Sequence, residues 1–112
     1  MNLNQDRVPI NLEEALTLLK EALTNAEKAE TKKTFATQLH FSLGMYLRNE
    51  WSLWDKDSIL MRWFKKNYGI DHPDDVSGLI LDTFCRDIRG EPRRDKELAK
   101  KFIEHWKAQQ NN

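Results

Sequence analysis

Gly69-Ile-Asp-His-Pro-Asp-Asp-Val-Ser77 reads as the end of one helix and the start of the next, and that reading sets the fold class. Glycine at the first position tolerates the left-handed conformation that closes a helix. Pro73 has a backbone angle suited to a first helical turn and lacks only an N–H that would have no partner there. Asp71 or His72 falls at the cap, and Asp74 and Asp75 set negative charge against the positive end of the helix dipole, worth about 0.3–1 kcal/mol each. The same stretch also places a histidine within five positions of three acids. That invites a second reading, with His72 as a general base oriented by Asp74 or Asp75, or as part of a metal site. No nucleophile motif, phosphate-cradling glycine loop or second ligand group at metal spacing accompanies it, since His40 and His105 lie in other elements. The sequence therefore predicts no catalytic residue, no metal and no cofactor.

Working outward, the helical period continues on both sides. Upstream, Ile59, Leu60, Trp63, Phe64 and Tyr68 share a face, with Asp55 or Asp57 as cap; downstream, Val76, Leu79, Ile80, Phe84 and Ile88 do so until Gly90. Pro92 marks the next corner, and a last helix from Arg94 or Asp95 to Trp106 carries Leu98, Ala99, Phe102, Ile103 and Trp106 as its expected buried face before a fraying polar tail. Towards the amino terminus, Leu12, Ala15, Leu16, Leu19, Ala22, Leu23 and Ala26 form one stripe, with Asn11 and Glu14 as a reciprocal cap. That helix either runs out into solvent or turns near Glu30-Thr31. Another follows through Phe35, Leu39, Leu43, Tyr46 and Leu47, broadened by Phe41 and Met45, and Gly44 inside it suggests close approach of a neighbour. No segment alternates with the period of a strand. The expectation is an all-α, compact single domain over 1–112 with about five helices, short connections and a flexible segment over 1–10.

The 112 residues carry 18 basic and 18 acidic side chains and one cysteine. Such a chain can bury about two thirds of its unfolded surface. Balanced charge gives no global preference for nucleic acid or anionic lipid. A lone Cys85 excludes an internal disulfide, and no segment has the length and apolarity to span a bilayer, so a cytoplasmic protein is expected, without membrane attachment. Cys85 itself reads as a small buried hydrophobe.

Two further stretches are candidates for contact. In LRNEWSLWDKDS (Leu47–Ser58), tryptophans and Arg48 are the residue types that dominate interface energetics, although at least one of Trp51 and Trp54 is expected to cover the corner between helices. Late in the chain, Arg93, Arg94, Lys100 and Lys101 would meet phosphates if the last two helices formed a helix-turn-helix, but interleaved acids disfavour nucleic acid.

The block Leu47–Gly90, with LRNEWSLW, WFKKNYGI, HPDDVSGLIL and a terminal IRG, resembles a small bacterial all-helical domain family of unknown function. Arg48, Asn49, Trp54, His72, Pro73, Asp74, Asp75 and Ser77 carry the likeness. It implies a bacterial or phage-related origin and no particular activity. It leaves the helix beginning at Asn11 outside, as an addition that docks on the block or meets a partner. The residues together point to a non-catalytic adaptor, inhibitor or immunity-type protein that binds a protein partner through a rigid helical surface, with Arg48, Trp54, His72, Asp74 and Asp75 as contacts. Homo-oligomerisation through the leucine-rich first helix is a second form of that reading, and a nucleic-acid-binding regulator is the alternative.

Overall fold

The computed structural model of the chain describes residues 7–33 and 36–110, those of 36–41 by their backbone alone. Six helices occupy the described residues, with no strand: α1 (Leu12–Ala22), α2 (Asn25–Lys33), α3 (Ala36–Glu50), α4 (Ile59–Tyr68), α5 (Pro73–Arg89) and α6 (Asp95–Gln110). The expected contributions of Phe35, Leu39 and Phe41, and the segment 1–6, lie outside the described residues. Pro9, within the segment read as flexible, is buried.

The count exceeds the expectation by one because the first stripe covers two helices. Leu23 takes an extended conformation, and the chain restarts at Thr24. There Thr24 Oγ1 accepts from the Glu27 N–H at 3.1 Å while Glu27 Oε1 accepts from the Thr24 N–H at 3.0 Å. This reciprocal box satisfies two donors that a helix start otherwise leaves open, so the break falls at Thr24 and not at Glu30-Thr31. At Asn11 the side chain accepts from the Glu14 N–H at 2.8 Å.

α5 is the axis. It packs most extensively on α3 and also meets α1, α2 and α6, while α4 meets α6. Its buried set, from Pro73 and Val76 through Leu79, Ile80, Leu81 and Phe84 to Cys85, runs round most of its circumference, as a helix covered on several sides must. The leucines of α1 are buried in this same core with Leu47, Trp51, Leu53, Leu60, Met61 and Phe64. Two of the polar groups drawn into the core are paired, Thr83 Oγ1 donating to the Leu79 carbonyl at 2.8 Å and Asp82 receiving Arg94, whereas the buried Trp51 indole N–H has no hydrogen-bond partner among the described residues.

α4 ends on Gly69 at φ 74°, and α5 ends on Gly90 at φ 73°. Gly69 serves a second purpose, since a Cβ there would stand 3.1 Å from Ile103 Cδ1 of α6. The cap of α4 is Ser58, whose Oγ accepts from the Met61 N–H, and not Asp55 or Asp57. Asp55 instead accepts from the Asp57 N–H inside the turn. α6 continues to Gln110, beyond the expected end at Trp106. Among the described residues no helix is long and apolar enough to cross a membrane.

Candidate functional site

The last turn of α3 and the first turn of α5 meet. Arg48, in the last turn of α3, is only 4% exposed. Its Nη1 donates to Ser77 Oγ at 2.8 Å, Ser77 Oγ donates to the Asp74 carbonyl at 3.2 Å, and Arg48 Nε stands 3.5 Å from Asp74 Oδ1. A long cationic side chain is needed for this span, because the two turns approach through α3 and α5 and not along the chain. Arg48, expected as a surface contact, is buried and joins the two helices instead.

Beyond Arg48 the chain leaves the helix sharply. Ser52 adopts φ 53°, and the Leu53 N–H donates back to the Arg48 carbonyl at 3.0 Å. This places Trp51 and Leu53 inward and Trp54 outward: Trp51 is 1% exposed and Trp54 58%. The exposed ring is oriented by its own N–H, which donates to Asn49 Oδ1 at 3.2 Å. Met45 lies one turn before Asn49 on the same side of α3 and is also exposed.

At the other end of α4, His72 is the cap of α5, its Nδ1 accepting from the Asp74 N–H at 3.2 Å. That bond assigns Nδ1 as the unprotonated nitrogen. The imidazole stacks on Trp106 with centroids 5.1 Å apart and planes 27° from parallel. Trp106 Nε1 donates to Asp75 Oδ2 at 2.8 Å. Trp106 is therefore 41% exposed and covers this turn; it does not belong to the buried face of the last helix. A groove of about 420 Å³ lies beside it, with Ile70 and Ile103 among its apolar lining and Lys56, Lys65 and Lys107 among its charged lining. No motif or spacing pointed to this groove. Trp106 continues the helical stripe, and only the packing of α6 on α4 shows that the stripe has passed the core.

Chemically the turn is well satisfied. The His72 Nδ1 is engaged with backbone, and the carboxylates of Asp74 and Asp75 turn to Arg48 and Trp106 respectively. Among the described residues no group of three or more His, Cys, Asp and Glu side chains is placed to hold a metal ion. His40, a residue weighed above, has a side chain outside the described set.

The basic end is tied into the fold as well. Arg93 forms a two-pronged pair with Asp87, at 2.9 and 2.7 Å, and also reaches Glu13 of α1. Arg94 grips Asp82 at 2.7 Å, and Arg86 stands 3.4 Å from the same carboxylate. Hydrogen bonds from Arg93 hold the Asp87 carboxyl below its usual range against the opposing effect of burial. Lys100 and Lys101 are exposed on α6. Burial pushes the Cys85 thiol up, against the nearby charge of Arg89. Tyr68, partly buried, is likewise pushed up by that burial and by its bond to Asp95 Oδ2 at 2.5 Å.

Fold and site together define an all-helical domain whose buried polar groups brace two adjoining turns and whose aromatic side chains Trp54 and Trp106 stand at the surface. The chain belongs to the family described as a domain of unknown function, DUF6794, whose model matches residues 8–88. The match takes in α1 and α2, which the sequence resemblance had left outside, and α6 lies beyond it. No curated protein and no solved structure matches the chain.

Proposed function

We propose that the protein is a non-catalytic interaction module that binds a protein partner through the surface around Trp54. The observation that carries this reading is a tryptophan 58% exposed yet held in one orientation by Asn49. A large apolar ring that is already ordered loses little conformational freedom on docking, and tryptophan is prominent among residues that dominate interface energetics. Exposed Met45 extends the apolar surface along α3, and Ile59 at the start of α4 is exposed too. Behind them, Arg48, Ser77 and Asp74 fix the two turns against one another, so the surface is presented by rigid elements. Arg48 and Asp74 act in this reading as positioning residues, and Trp54 as the anchor. The single cysteine, buried and unpaired, fits a reducing cytoplasmic setting.

The test compares wild type with Trp54→Ala in affinity capture from the native host, followed by titration of the purified partner. A stoichiometric partner whose binding falls by about tenfold or more in a variant that keeps its helical signal supports the reading, in line with tryptophan hot spots. A partner held equally by both proteins, or none at all, overturns it.

A further inference from the structure

The groove beside Trp106 has a lining that selects its occupant by charge. Its two acids are already engaged: Asp71 stands 3.7 Å from Lys65, and Asp75 accepts from the Trp106 indole. Three lysines and two aspartates leave one positive charge in excess, 3 − 2. Lys56 and Lys107 come from different walls, the aromatic turn and α6, and neither has an ion pair with any described residue. The same lining includes Ile70, Ile103 and the ring of Trp106, against which His72 stacks. Such a lining favours carboxylates flanking an apolar side chain.

We infer that this groove receives an acidic, leucine-like segment of the protein partner, its carboxylates on Lys56 and Lys107 and its apolar side chain against Ile103 and Trp106. The inference rests on the interaction-module reading and specifies the partner's chemistry. Lys56 is two residues from Trp54 in the same connecting turn, so one edge of the groove belongs to the segment that carries the anchor. That continuity favours a segment of the same partner over a separate small molecule.

The test is an NMR titration of the full ¹⁵N-labelled chain with a blocked peptide of alternating glutamate and leucine, beside the same peptide carrying glutamine for glutamate. Saturable shifts are expected at the Trp106 indole N–H and at the amides of Ile70 and Asp71. Affinity should be about tenfold weaker for the glutamine peptide and for a Lys56→Glu/Lys107→Glu variant, whose exposed substitutions leave the core intact. Absence of saturable shifts, or equal binding by the glutamine peptide or the double variant, overturns the assignment. Partner capture that depends on Trp54 but not on Lys56 and Lys107 also overturns it while leaving the module standing. Capture independent of all three removes both.

Discussion

Arg48 Nη1 donates to Ser77 Oγ at 2.8 Å across 29 positions of sequence, and both residues are buried. Removing either partner leaves a polar group without its bond in a dry place, which costs more than the bond itself contributes. Ser77→Ala should destabilise the domain by about 1–3 kcal/mol. Arg48→Ala should cost about 3–5 kcal/mol at most, since it also leaves a cavity, although the half-exposed Asp74 carboxylate is rehydrated easily. Urea denaturation of the two single variants and the double variant would show strong coupling. Additive losses would mean that the two side chains act separately.

Trp51 and Trp54 stand three positions apart and should behave as opposites. Trp51→Ala empties a fully buried site and is expected to cost about 3–5 kcal/mol. Trp54→Ala removes a largely exposed ring and should stay within about 0.5 kcal/mol of wild type. Thermal melting followed by circular dichroism checks both, and a large loss in the Trp54 variant would return that ring to a structural role.

What could be foreseen here divides between local and long-range causes. The stops at Gly69 and Gly90 and the start at His72-Pro73 depend on neighbouring residues, so they were legible. The break at Thr24 was equally local, but the helix formers from Asn25 to Lys33 conceal a box whose signature is only Thr24 and Glu27. Ser58 was displaced as the expected cap by two more conspicuous aspartates. At least one of Trp51 and Trp54 was expected to cover the corner, with Trp54 as the contact residue; Trp51 is the buried one and Trp54 the exposed one, and Ser52's left-handed turn lies between them. The bracing of Ser77 by Arg48 and the cover of His72 by Trp106 join residues 29 and 34 positions apart, and no periodicity encodes such meetings.

Gly69 and Gly90 share nearly the same backbone angle but not the same surroundings. Alanine at Gly90 meets open space, so it should cost only the left-handed strain, about 1–2 kcal/mol. Alanine at Gly69 adds the encounter with Ile103 Cδ1 at 3.1 Å. Gly69→Ala should therefore be the more damaging by about 1 kcal/mol, and Ile103→Val, by removing that methyl, should erase part of the difference. Equal losses at the two glycines, measured by urea denaturation, would show that α6 yields to the added methyl.

Asp87 links the end of α5 to the chain beyond it through Arg93, with Lys20 of α1 at 3.8 Å. Its carboxyl is lowered in the fold, first by the hydrogen bonds from Arg93, against the effect of burial. A group depressed on folding contributes stability that is fully present above its unfolded value, about 3.9, and disappears as pH falls through the folded one. Asp87→Asn cannot gain charge and forgoes this contribution at every pH. The variant should consequently be less stable than wild type near neutral pH, and the gap should close progressively below about pH 4. Urea midpoints of the two proteins from neutral pH into the acid range test this directly. A gap that stays constant on acidification would assign the loss to packing at the end of α5 and not to the charge that Arg93 holds.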